Sequence, residues 1–500
     1  MEFKFADIHV HPSLKPYNNK DYPEGKEKTI WDWFDKKKKS LKKLSCIIRK
    51  ETEELATTSQ ANLDACIKAD LVCLIFALYA TERQWFDPKP KKPFRLLFRL
   101  ILSPRKYHHL GAAVSGFPAK KVRKIRSRIK NGQGIDYFNE ELFPLMKYTI
   151  AQTQSKSNNY SGYSFRIVTN YKEFKQFTNS SNTICGIFTV EGSNALGNYI
   201  YHNTFKKEFA DLDPDEKRLL EESFKENITK IKSWEDGKYT PFFISFCHHY
   251  NNLLAGHARS LSPRQSILKP GFRDLLNQEP GLNKGFNEFG EEILDLLLSR
   301  DNGRRILIDT KHMSIQSRIH YHNLVKERRK EGDIIPIIQS HAAINGWSSF
   351  SEADKHTEDK DLDKDAYFSR WRINMNDEEI LDIYDSDGII GIVFHEGRMP
   401  GGKHKKRTKK LRKKYNRLKK KKNRSVRKQK KFDKVAEQLK LLYNELIWSN
   451  IFHIVRLINI NRKDQDENPV NAWKIISVGS DYDGLIDPFN VYFSVSDLKT

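Results

Sequence analysis

The stretch Phe3-Lys4-Phe5-Ala6-Asp7-Ile8-His9-Val10-His11-Pro12 reads as a short apolar strand that ends in two histidines. Side chains two apart on a strand point the same way. His9 and His11 can therefore reach one point in space, as the ligands of one metal ion must. Neutral imidazole is a common ligand for zinc and similar ions. An edge strand with two exposed histidines would read the same way, so the pair takes its meaning from the rest of the chain.

Seven further apolar stretches follow it. Leu71-Val72-Cys73-Leu74-Ile75-Phe76-Ala77-Leu78-Tyr79 is apolar throughout, which suits a strand buried on both faces. Residues 183–190 end in Glu191-Gly192, and 241–247 end in His248-His249-Tyr250-Asn251-Asn252. Residues 305–309 lead to Thr310-Lys311-His312-Met313-Ser314, and 334–339 end in Ser340-His341. Residues 388–394 end in His395, and 474–478 end in Gly479-Ser480-Asp481-Tyr482-Asp483-Gly484. Helical patterns separate most of these strands, among them 30–68, 138–155 and 285–300. Alternating strands and helices imply a parallel sheet. Eight of them imply an α/β fold closed as a (β/α)8 TIM barrel, a single domain over residues 1–500. No glycine-rich phosphate loop follows any strand, which argues against an open nucleotide-binding sheet.

Metal-ligand residue types fall at the C-terminal ends of five strands: His9, His11, Glu191, His312, His341 and Asp481. A lone His or Asp at a strand end is ordinarily a cap or a satisfied polar group. Six of them, on the face where barrels of this kind build their active sites, point to a metal centre.

Composition fits a large core: 38% of the 500 residues are hydrophobic and 12% aromatic. Cys46, Cys66, Cys73, Cys185 and Cys247 show no CxxC spacing and are odd in number, so reduced thiols in a cytosol-like compartment are expected. No signal-peptide pattern precedes the first strand and no run of 18 apolar residues occurs, so the expected location is cytoplasmic with no transmembrane segment. The net charge of +24 is local: residues 403–431 hold 19 Lys or Arg and no acid, leaving +5 for the rest.

The motifs resemble those of the membrane dipeptidase (renal dipeptidase) family, the M19 branch of the amidohydrolase superfamily. The pieces are Asp7-Ile8-His9-Val10-His11, Val190-Glu191-Gly192, His248-His249-Tyr250-Asn251-Asn252, Ile308-Asp309-Thr310-Lys311-His312-Met313-Ser314, Gln339-Ser340-His341 and Gly479-Ser480-Asp481-Tyr482-Asp483-Gly484. The stretch 281–290 before strand five resembles the family's entry to its fourth helix. The pieces come in the family's order and span residues 7–484.

The resemblance implies a zinc-dependent dipeptidase with two Zn2+, other divalent metals being compatible with the same ligands. His9, His11, Glu191 and Asp481 would hold one ion; Glu191, His312 and His341 would hold the other, with Glu191 as the bridge. A bridging hydroxide would attack the peptide carbonyl, and Asp481 would pass its proton to the leaving amine. His248 would bind substrate and hold the oxyanion. His249 is set aside, because Asn252 sets the family spacing from His248. Arg372, in Trp371-Arg372-Ile373-Asn374, resembles the family's carboxylate-binding Arg-Asn element. One motif departs: the family's His-x-Asp is His9-Val10-His11 here, so the site carries one negative charge fewer. The alternatives are an amidohydrolase-fold enzyme acting on a lactone, another amide or a phosphoester, and an inactive barrel serving as a scaffold through its basic run.

Three insertions follow strands two, six and seven, on the catalytic face: a basic one at 83–134, an acidic one at 343–370 and a Lys/Arg-rich one at 401–433. The first includes the apolar-basic stretch 93–102, read as a lid helix rather than a membrane-surface segment. The acids of the second are Glu352, Asp354, Glu358, Asp359, Asp361, Asp363 and Asp365. The third is expected to be a mobile arm, open to a nonspecific anionic partner. Tyr415 is the only aromatic within 403–431, so base stacking has little support there. An oligomer is compatible with this reading. The closing eighth helix is expected to be barely begun at 495–500.

Overall fold

The computed structural model describes residues 5–18, 28–33, 59–88, 103–179, 182–261, 276–355, 365–420, 425–463, 468–484 and 486–499. All eight expected strands are present: β1 (Phe5–Val10), β2 (Leu71–Tyr79), β3 (Thr183–Glu191), β4 (Phe243–Ser245), β5 (Leu307–Asp309), β6 (Ile338–Ala342), β7 (Ile389–Ile392) and β8 (Ile476–Val478). Each is parallel to its neighbours, and the ring closes where Asp7 of β1 lies opposite Val478 of β8. The longest seam joins β2 to β3, from Cys73 opposite Cys185 to Tyr79 opposite Glu191. The strands carry large or branched apolar residues on both faces, and Val10, Leu74, Phe76, Leu78, Val190, Ile308 and Ile390 are all buried. The fold is thus a closed TIM barrel.

Among the described residues three strands were not anticipated: Gln133–Asp136 and Asn198–Tyr201 pair antiparallel as a separate sheet, and the third joins the barrel. Ser164–Ile167 pairs in parallel with the first half of β3, on the edge that β4 takes up only at Val190 and Glu191.

The described helices include α1 (Leu63–Lys68), α2 (Tyr171–Thr178), α3 (Pro214–Ser233), α4 (Glu288–Leu298), α5 (Ile315–Lys330), α6 (Asp377–Asp385), α7 (Gly402–Lys419) and α8 (Val426–Asn461). Their starts follow local chemistry. Asp213, Asn287, Ser314 and Asn376 each accept a backbone N–H of the first turn, and Asn376 forms a capping box with Glu379. Of the helical pattern at 30–68, residues 34–58 lie outside the described residues. After β8 the turn Val495–Asp497 is tied to the segment before α1, Val495 N donating to Gln60 O at 2.8 Å. Among the described residues no helix is long and apolar enough to cross a membrane, and the four cysteines are free and buried.

The stretch 93–102 lies outside the described residues. After β2, the helices Pro104–Ser115 and Ala119–Lys130 enclose a small core of Phe86, Ala112, Phe117, Val122 and Ile125. Of the acidic stretch, 356–364 lies outside the described residues, and Asp365 pairs with Lys406 at 2.9 Å.

The expectation of a mobile basic arm is corrected. The described part of 403–431 is α7 and the start of α8, two helices packed on each other. His404, Thr408, Tyr415 and Leu418 recur on one side of α7 and are buried, with Leu411 half-buried between them. Across from them α8 buries Val435, Leu439 and Tyr443, and Tyr415 stacks on Phe432 at 5.1 Å. Counting charge alone hid this stripe at helical spacing.

Candidate metal centre

The barrel delivers its strand ends to one small volume. The ligand atoms of His9, His11, Glu191 and Asp481 lie within 4.8 Å of one another, and so do those of Glu191, His312 and His341. All six residues predicted as ligands therefore meet. His9 Nε2 lies 3.1 Å from Glu191 Oε1, and His11 Nε2 lies 3.4 Å from Glu191 Oε2 and 3.3 Å from Asp481 Oδ1. On the other side His312 Nε2 lies 3.2 Å from His341 Nε2 and 3.9 Å from Glu191 Oε1. Glu191 is common to both groups, in the place between two imidazole pairs that a bridging ligand needs.

The local backbone is bent to make this possible. His312 and Asp481 sit in the left-handed region, at φ of 69° and 57°, which is uncommon for residues with a Cβ and clusters at functional sites. Gly484 is required by contact: a Cβ there would lie 1.9 Å from Asp481 Oδ1 and 2.8 Å from the His11 ring. Gly192, at φ of 89°, makes the turn out of β3 directly after Glu191.

The residues fit a bound cation. His11 Nε2 and Asp481 Oδ1 are buried without a hydrogen bond. Four imidazoles and two carboxylates in a buried cluster are the donor types that bind zinc and similar ions. The tautomer of His341 is fixed for that role. The Ser340 hydroxyl donates its one proton to Asp309 at 2.7 Å, so the 2.8 Å contact with His341 Nδ1 must be donated by the ring. His341 Nε2 is then left bare toward the centre. Asp309 also accepts the Ser245 hydroxyl and the backbone N–H groups of Lys311 and Ser340. Burial, with the neighbouring imidazoles and Lys311, holds His312 and His341 well below the ordinary imidazole range, which keeps them neutral. Burial alone would raise the Glu191 carboxyl, but His248, His9 and His11 outweigh it and hold it well below the usual range.

His248 stands beside this cluster, with Nε2 3.4 Å from Glu191 Oε1 and Nδ1 2.7 Å from Glu82 Oε2. Burial opposes its charge, but the carboxylates of Glu191 and Glu82 lift it to about 10. Glu82 is 2% exposed and is held in turn by Tyr79 Oη at 3.1 Å and by the backbone N–H of Tyr250 at 3.1 Å. Sequence reading missed Glu82. Its signal was present, since it is an acid three residues past the end of β2. His249 is also close: its ring, with those of His248 and His312, forms a further triplet within 4.8 Å, and its Nδ1 meets Ser260 Oγ at 2.7 Å.

Arg372 is engaged by the acidic segment. It turns to Asp354, bonding the Asp354 carbonyl and facing its carboxylate at 3.6 Å. A second arginine, Arg398, follows β7. It donates to Ser260 O, lies over Trp371 at 4.8 Å, and is buried. Its charge acts on His249, His395 and Lys311. Lys311, beside His312, is buried, and Nζ has no hydrogen bond. Burial, reinforced by Arg398, lowers it to about 7.

No protein-family model matches the chain, and no curated protein matches it. Among solved structures it is similar to the probable dipeptidase PvdM of Pseudomonas aeruginosa, at 14% identity over 88% of this chain and 82% of that one, with a TM-score of 0.40. It is similar to dipeptidase AC, a metallopeptidase of family M19, at 12% identity over 100% and 90%, with a TM-score of 0.42. A metallopeptidase of Rhodobacter sphaeroides, solved with a phosphinate mimic of the dipeptide L-Ala-D-Ala, matches at 12% identity over 99% and 90%, with a TM-score of 0.41. At these values the likeness carries no residue's role across.

Proposed function

We propose that the chain is a metal-dependent hydrolase that cleaves the peptide bond of dipeptides, with two zinc ions as its metals. The observation that supports this most is the meeting of His9, His11, Glu191, His312, His341 and Asp481 at the barrel mouth. His9, His11, Glu191 and Asp481 would hold one ion, and Glu191, His312 and His341 the other. When bound, such a pair acidifies a water and polarises a carbonyl.

The remaining steps belong to the chain. The Asp481 carboxylate takes the proton of the attacking water and returns it to the leaving amine. His248 Nε2 donates to the carbonyl oxygen as charge gathers on it, and Glu82 holds the ring by its other nitrogen. Arg398, with Lys311 nearby, takes the substrate carboxylate in place of Arg372, since a guanidinium fork matches a carboxylate. A second reading, an enzyme of the same fold acting on a lactone, another amide or a phosphoester, is favoured by one feature. Lys311 and Arg398 together, with His11 where the related motif has Asp, make the centre more cationic.

The test is metal analysis of the purified protein followed by turnover of L-L and L-D dipeptides. Two equivalents of metal with dipeptide hydrolysis is the expected result. Two equivalents with no dipeptide cleaved would move the reading to another bond, and no bound metal would overturn it.

A further inference from the structure

We propose that the outward face of α8 is a docking surface for an anionic lipid membrane. The face is defined by spacing. Lys434, Leu441 and Trp448 follow each other at seven residues and Phe452 comes four later, so all four share one side of the helix. The opposite side is the buried one, carrying Val435, Leu439, Tyr443, Leu446, Asn450, Ile454 and Ile458. The 36 residues of α8 extend over about 54 Å.

Two chemistries lie in sequence along this face. Its beginning is cationic: Arg427, Lys428, Lys430, Lys431 and Lys434 are exposed. Its later part carries exposed apolar groups, Leu441 63%, Trp448 48%, Phe452 53% and Ile460 63% exposed, with Glu445 and Arg456 exposed among them. The patch extends beyond the helix. Phe452 stacks with Trp448 at 5.4 Å and meets Trp473 edge-on at 5.8 Å, with exposed Val470 near Trp473 in sequence.

This pairing fits a headgroup layer. Lysine and arginine near an anionic leaflet each add attraction, and Trp and Phe settle at the boundary between headgroups and chains. A nucleic acid would use the lysines but has no need of Leu441 and Ile460. The one aromatic within 403–431, Tyr415, is buried and offers no face for a base. Charge complementarity and the exposed aromatic cluster therefore favour lipid. The apolar end of the face lies beside Trp473, three residues before β8.

The test uses the full chain and vesicles of phosphatidylcholine, alone or mixed with phosphatidylserine. Cosedimentation is expected with the mixed vesicles and not with phosphatidylcholine alone, weakening as salt rises. Two variants separate the halves of the face: Trp448→Ser with Phe452→Ser, and Lys430→Glu with Lys431→Glu and Lys434→Glu. Each should weaken vesicle binding by roughly tenfold or more while metal content and turnover stay as in the parent. Three results would overturn the proposal: equal binding to both vesicles, binding to duplex DNA with none to vesicles, or self-association lost in the aromatic variant with no vesicle binding. The vesicle readout does not depend on the hydrolase reading.

Discussion

The barrel mouth and the α7–α8 hairpin both concentrate charge and treat it oppositely. At the mouth, Glu191 and Asp481 are buried among His9, His11, His248, His312 and His341, and each group is placed by its partners. On the hairpin, lysines and arginines point into solvent, and a narrow stripe of His404, Thr408, Tyr415 and Leu418 fixes the helix. Buried charge must be paired or metal-bound to be tolerated, whereas exposed charge is hydrated and contributes little individually. The expected consequence is that single changes at the mouth act on chemistry, and single changes on the hairpin act on stability only where they reach the stripe.

The largest effect should come from Glu191→Gln. A neutral amide bridges two cations poorly, so metal content should drop and turnover fall to background, measured by metal analysis beside a dipeptide assay. Normal activity with two metals would break the comparison, because the mouth would then tolerate loss of its central charge.

Next come His248→Ala and Glu82→Gln. The first should lower kcat by about 100- to 1,000-fold with metals retained. The second should lower it by roughly 10- to 100-fold, because it frees the ring that Glu82 orients. Glu82→Asp should recover part of that loss if orientation is the role. Metal loss in His248→Ala would instead make His248 a ligand.

Arg398→Ala should raise KM by roughly 10- to 100-fold for dipeptides with a free C-terminal carboxylate and much less for their amides. Arg372→Ala should leave KM unchanged. The reverse pattern would restore Arg372 to the site.

The smallest effects belong to the hairpin. Tyr415→Ala removes a buried ring stacked on Phe432, and unfolding should become easier by about 3–5 kcal/mol with kcat intact. Lys409→Gln, on the exposed side, should shift stability by no more than about 0.5 kcal/mol. If both changes were silent in a denaturation series, the hairpin would after all be the arm that its charge count suggests.

The strands, their order and the six converging residues were legible in the sequence, because strand patterning is local and a closed barrel brings every strand end to one face. The resemblance added roles to residues that the pattern had already singled out. Other features were local and still missed. Glu82 carried the same strand-end signal as the ligands, and the stripe in α7 was present at helical spacing beneath the lysines.

What only the tertiary structure decided are partnerships across long separations. Glu82 meets His248 across 166 residues, and Ser245 meets Asp309 across 64. Arg372 meets Asp354 within the acidic segment, while Arg398, after β7, meets Ser260 O. The sequence determined which side chains stand at the strand ends, since that depends on the period of each strand. It could not determine which arginine or carboxylate reaches them from the loops, since that depends on where long insertions pack in space.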